Sequence, residues 1–187
     1  VDSQRFIEKK GACQSAISLG MPTLMRNHPD FLKFQVVLAL FGGYFGSRLV
    51  SNVREDKGYT YHISADMTHY PFSSFLLIHT ECDNEYVRPL IEQVHYEMDR
   101  LHTELVDTKE LGKLKNYMLG ESCRSYESAF SIADAWMFAF TSGMEDDYFI
   151  RSFEAIQSIT VEEVRELAQK YLRKESLKGV VAGEKLL

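Results

Sequence analysis

Arg54 and Tyr61 are the two side chains of this 187-residue sequence whose types and spacing point to chemistry. Arg54 stands near the end of a stretch, Ser47 to Asp56, patterned as a short helix and closed by Lys57-Gly58, with Gly58 as its stop signal. Tyr61 enters the alternating stretch that follows. A helix-to-strand corner can direct a guanidinium and a phenol at one point. Both groups donate hydrogen bonds, so together they can stabilise a carbonyl oxygen that becomes negative during acyl transfer. Taken alone, the pair reads more readily as surface or core-edge residues.

Other chemistries lack their residues. The run Gly42-Gly43-Tyr44-Phe45-Gly46-Ser47 has no Gly-Lys-Ser/Thr ending and no Gly-x-Gly-x-x-Gly spacing. It reads as a helix-to-helix turn in which Gly42 and Gly43 take backbone angles that other residues avoid. The six histidines never form the inverted zinc spacing His-x-x-Glu-His. His95, Asp99 and His102 fall on one helix face, where a solvated stripe explains them. On the strand after Gly58, His62, Ser64 and Asp66 share one face, with Tyr61, Ile63 and Ala65 on the other. No nucleophile, base and orienting group come together there.

The elements that must hold this corner follow from periodicity. Residues 12–19 suit a short strand, and Met21-Pro22 ends it. His28-Pro29-Asp30 opens a helix, with proline at the first helical position, an acid in the first turn, and Phe31, Phe34, Val37, Leu38 and Phe41 as its apolar stripe. Thr60 to Tyr70 and Ser73 to Cys82 read as an antiparallel pair around Pro71. Val87, Leu90, Ile91, Val94, Met98, Leu101 and Leu105 make the stripe of a long helix. Asp107 with Glu110, and Thr160 with Glu163, mark two further helix starts as capping boxes. Between them Phe130, Ala133, Met137, Phe140 and Met144 form another stripe. A last helix carries Val161, Val164, Leu167, Ala168 and Tyr171, and Val180 to Ala182 close the chain as a strand. This order gives an α+β fold: a two-layer α/β sandwich, its sheet largely antiparallel and its helices on one face. No linker divides it, so residues 1–187 read as one domain.

Composition narrows the partners. With 27 acidic against 21 basic side chains, a net charge of -6 and no basic cluster, nucleic acid is not expected. No apolar run approaches the roughly 20 residues of a membrane span. Cys13, Cys82 and Cys123 have neither disulfide nor zinc spacing and read as free buried thiols, which favours the cytoplasm. The sequence begins at Val1, carries no signal-peptide pattern, and looks excised from something longer.

The stretch from Leu40 to Tyr61, with its Gly-Gly turn, Ser47-Arg48-Leu49, Arg54-Glu55-Asp56-Lys57-Gly58 and a tyrosine three residues beyond the glycine, resembles the pitrilysin (insulinase) family of zinc metallopeptidases. It is most similar to the zinc-free C-terminal half-domain, as in mitochondrial processing peptidase. Residues 14–20, 28–30, 107–120, 132–134, 160–164 and 180–183 extend the likeness over nearly the whole chain. The resemblance implies a peptidase of two homologous halves, fused or separate, closing around a peptide. Zinc is then expected in the partner half and none in this chain. Alone the chain is expected to be inactive, while Arg54 and Tyr61 reach the substrate in the other half's active site. The alternative is a non-catalytic assembly subunit of the same fold, like the respiratory-complex core proteins.

Overall fold

The computed structural model describes residues 4–184. Five strands form one sheet: β1 (Gln4–Glu8), β2 (Gln14–Pro22), β3 (Ile63–Tyr70), β4 (Ser73–Asp83) and β5 (Lys178–Gly183). Their spatial order is β1-β5-β2-β4-β3. Only the β1–β5 pair is parallel; β2–β5, β2–β4 and β3–β4 are antiparallel. β3 and β4 form a hairpin in which Tyr70 pairs with Ser73 across Pro71 and Phe72.

Strand alternation sorts the sheet's two faces. Ile17, Leu19, Met21, Ile63, Ala65, Leu76, Ile78 and Val181 point into the core, whereas Ala16, Asp66, His79, Glu81 and Val180 are exposed on the other side. The core side is covered by α1 (Phe31–Leu38), α2 (Val87–Thr103), α3 (Thr108–Arg124), α5 (Tyr148–Ser158) and α6 (Val161–Tyr171), which follow and precede α4 (Ala129–Thr141) in the chain. Phe31, Phe34, Phe41, Leu90 and Met98 are almost wholly buried between the layers. Each such side chain contributes about 1.5–3 kcal/mol relative to exposure.

Several helix starts and ends differ from the pattern-based expectation. α1 begins at Phe31, so Pro29 and Asp30 precede it. His28 Nδ1 accepts the Asp30 N–H at 3.1 Å, and the Asp30 carboxylate accepts from Tyr171 and Lys170 of α6 rather than capping α1. Asp107 caps α3 by accepting from the Lys109 and Glu110 N–H groups, but the reciprocal half of the box is missing because Glu110 turns to Arg48. Thr160 and Glu163 form the full reciprocal box on α6, and Ser128 with Ser131 forms another on α4. Leu105 lies past the end of α2 and is 48% exposed. β1 escaped the sequence reading altogether, since it is an edge strand whose residues 5–8 are all exposed.

The orientation of α4 is what periodicity left open. Its stripe Phe130, Ala133, Met137 and Phe140 faces solvent rather than the core, with Phe130 85% and Phe140 86% exposed. Periodicity had identified residues sharing a face; it carried no information on what that face meets.

Candidate functional site

The chain reaches the Arg54–Tyr61 corner through two widened helical segments. α1 runs into a π-helical turn at Ala39–Gly43, and Val50–Asp56 is itself π-helical rather than the ordinary helix that the pattern suggests. Neither Gly42 nor Gly43 has positive φ. Gly42 is required for closeness instead: a Cβ there would lie 2.6 Å from Ala65 Cβ on β3. A Cβ at Gly43 would meet nothing nearer than 3.4 Å. The turn itself falls one step later, where the Ser47 N–H donates to the Tyr44 carbonyl.

The Val50–Asp56 segment ends as a π-helix should, with the Lys57 N–H donating to Asn52 five residues back. Gly58 then takes φ +66, the left-handed conformation favouring glycine, and the Tyr59 N–H reaches the Val53 carbonyl. Arg54 leaves the last turn and lays its guanidinium 4.8 Å from the ring centroid of Phe45. Among the described residues no carboxylate pairs with it. By contrast Arg48, seven residues on from Phe41, is buried and grips Glu110 through two hydrogen bonds of 3.0 and 3.1 Å.

Tyr61 is placed by a buried hydroxyl pair that the sequence reading missed. The Thr60 hydroxyl donates to the Glu81 carbonyl at 2.6 Å and accepts the His62 N–H at 3.1 Å. The Thr80 hydroxyl donates to the His62 carbonyl at 2.8 Å and lies 3.0 Å from the Thr60 hydroxyl. These bonds tie residues 60–62 to β4 before regular β3 pairing begins at Ile63. The strand alternation therefore does not extend back to Tyr61: it is 90% exposed and does not share the buried face of Ile63 and Ala65. Two threonines within apolar alternation, at 60 and 80, were the available signal.

Tyr61 borders a shallow cavity of about 530 Å³ on the open sheet face, together with Gln14, Ser18, His62, His79 and Val180. Its floor is fixed by a 3.2 Å hydrogen bond between Ser18 and His79. Arg54 and Tyr61 thus flank one connection, the arginine against Phe45 and the exposed phenol at the cavity rim.

Other titratable groups are committed elsewhere. Asp99 binds Lys174 at 2.7 and 2.8 Å, which leaves His95 and His102 without a shared carboxylate. Burial, with help from Asp83, pushes the Cys82 thiol up to about 11. Cys82 is the one buried thiol; Cys13 and Cys123 are exposed, contrary to the reading of all three as core thiols. Burial also raises the Tyr44 phenol, followed by the nearby Glu110 carboxylate, and Tyr44 stacks on Tyr117 at 5.0 Å. Among the described residues no group of three or more His, Cys, Asp or Glu side chains could hold a metal. None of their helices is long and apolar enough to cross a membrane.

A mixed sheet with helices on its core face, a close-packed Gly42 and a left-handed Gly58 thus hold the Arg54–Tyr61 corner. The family model described as the peptidase M16 inactive domain matches residues 2–118, and the chain belongs to that family. A Bacillus subtilis protein described as the uncharacterized zinc protease YmxG is 29% identical over 129 residues, 69% of this chain and 32% of its own length. A Pseudomonas fluorescens M16 inactive-domain structure superposes with a TM-score of 0.88 at 23% identity, covering 98% of this chain and 44% of that one. A Bordetella parapertussis inactive peptidase domain superposes at 0.78 with 11% identity, covering 92% of this chain and 94% of its own. The chain therefore spans about a third of its curated relative. In this family zinc belongs to the catalytic half, and an inactive half pairs with it, fused or separate.

Proposed function

We propose that this chain is the zinc-free half of a zinc metalloendopeptidase and presents Arg54 and Tyr61 to a peptide held in the active site of the zinc-bearing half. The observation that carries this reading is the paired availability of the two side chains. A rigidly held segment exposes a phenol at 90%, and an arginine without a carboxylate partner stands on the same connection. The nearby Arg48 is instead paired with Glu110.

In this reading the Tyr61 hydroxyl donates to the scissile carbonyl as it becomes an oxyanion, and the Arg54 guanidinium orients the substrate backbone or supports that charge. Zinc in the partner half supplies the activated water. The peptide adds as a strand to a sheet edge of that half, and this chain closes the chamber. Both donors then act only in the closed assembly, so the isolated chain neither cleaves peptide nor binds stoichiometric zinc. Its free thiols fit a cytoplasmic setting.

The test is the double substitution Arg54→Ala/Tyr61→Phe in the full assembly, read as peptide turnover. A fall of roughly 100-fold or more supports the role, the scale of losing an oxyanion donor. Unchanged turnover removes it and favours the assembly-subunit alternative.

A further inference from the structure

The face that meets the zinc-bearing half has not been placed by Arg54 and Tyr61 alone. We propose that α4 docks against a helix of that half which carries apolar residues at matching spacing and Lys or Arg beside them. This rests on the reading of the chain as one half of a pair.

Phe130, Ala133, Met137 and Phe140 are spaced three, four and three residues apart, the a/d spacing with which one helix packs along another. All four are exposed: Phe130 at 85%, Met137 at 61% and Phe140 at 86%. Ile132, Trp136 and Phe138 add partly exposed apolar surface around the same helix, of which only Ala139 is buried. A helix apolar all round belongs in an interior. Thirteen residues present a seam about 20 Å long.

The helix is nevertheless held in place. The Arg26 guanidinium lies 4.7 Å from the Phe138 ring centroid and donates to the Ser142 hydroxyl, while Trp136 packs edge-on to Phe149 at 5.3 Å. The Ser128/Ser131 box fixes its first turn. A seam organised before binding loses less entropy on docking.

Charge decides between occupants. Residues 127–151 hold five acids, Glu127, Asp134, Glu145, Asp146 and Asp147, against two bases at the helix, Arg151, which already pairs with Glu145 and Asp147, and Arg26, which lies over Phe138. Asp134 borders the seam, and acids stand beyond both ends. A second copy of α4 would bring like charges together whether it ran parallel or antiparallel. A helix flanked by Lys or Arg would meet opposite charges instead.

The chain has one tryptophan, Trp136, so 5-fluorotryptophan labelling gives it a single fluorine reporter on α4. The labelled chain is mixed with its unlabelled zinc-bearing half, and association is measured in parallel by sedimentation. The expected result is a shifted Trp136 resonance on pairing, with association weakened by roughly 100-fold or more in Phe130→Ser/Met137→Ser/Phe140→Ser. The substituted residues are exposed, and the variant's far-ultraviolet circular dichroism and melting temperature verify its fold. Equal pairing by wild type and variant overturns the α4 proposal and leaves the two-half reading intact. Failure of the wild-type chain to pair at all overturns both. Self-association of the chain that the triple variant abolishes assigns the seam to a second copy and overturns the proposal.

Discussion

The Arg54 guanidinium lies over the face of Phe45, 4.8 Å from the ring centroid, and so one exposed aromatic residue orients the cation. Cation–π contacts at exposed sites contribute about 0.5–1 kcal/mol. In the paired assembly Phe45→Ala is therefore expected to lower kcat/KM by roughly two- to fivefold, less than Arg54→Ala, with the chain's melting temperature unchanged. Phe45→Tyr is expected to retain activity. Peptide kinetics on the three variants check this ordering, and equal losses for Phe45→Ala and Arg54→Ala would show that the stacked arrangement is the essential one.

The glycines beside the site separate by the role of each position. Gly42→Ala places a Cβ 2.6 Å from Ala65 Cβ and is expected to cost about 1–3 kcal/mol through overpacking. Gly58→Ala has open space but must take φ +66, costing about 1–2 kcal/mol. Gly43→Ala meets its nearest atom at 3.4 Å and is expected to be close to neutral. Urea unfolding of the three single variants measures the ranking.

The same region marks how much was legible in the sequence. Phe31, Phe34 and Val37 announced a helix and its buried face, and Gly58 announced the stop of the later segment that carries Arg54, because helical spacing and left-handed glycine are local properties. The close approach of Gly42 to Ala65 is tertiary and left no local sign. The outward turn of Tyr61 depends on Thr60 and Thr80, 20 residues apart, so strand alternation placed it on the wrong face. For α4, Phe130 and Phe140 specified a stripe correctly but could not specify its orientation. Arg54 and Tyr61 stood out by type and spacing; the stacking of one and the exposure of the other needed the fold.

Arg48 and Glu110 carry the tightest charge pairing near the site, with side chains 7% and 30% exposed. Glu110→Ala strands a buried guanidinium whose Nη1 already lacks a partner, so a loss of about 3–5 kcal/mol is expected. Arg48→Met leaves a carboxylate that water can reach and is expected to cost less. The double variant Arg48→Met/Glu110→Leu should recover much of the loss, because it removes both desolvated charges. Chemical denaturation of the three variants checks that order; a double variant no more stable than Glu110→Ala would assign the loss to packing.

Asp30 links α1 to α6 and makes stability depend on pH. Its carboxylate accepts from Lys170 at 2.7 Å and from Tyr171 at 2.6 Å, and these bonds hold its pKa below the usual carboxylate value. A carboxyl depressed in the folded state stabilises fully above its unfolded pKa of about 3.9. That contribution fades as pH falls below this value and is gone once pH passes the folded pKa. The hydrogen bond from the Tyr171 hydroxyl, at a carboxylate one-third exposed, is worth about 1 kcal/mol or some 2–4 °C in a domain of this size. Asp30→Asn is thus expected to melt below wild type at pH 7 by about that amount, with the gap closing toward pH 2. Glu163, depressed by its bond from Lys33, titrates in both proteins, so the difference between them isolates Asp30. Calorimetry of wild type and variant across pH 2–7 measures the gap, and a constant difference would place the loss in α1–α6 packing rather than in the carboxylate charge.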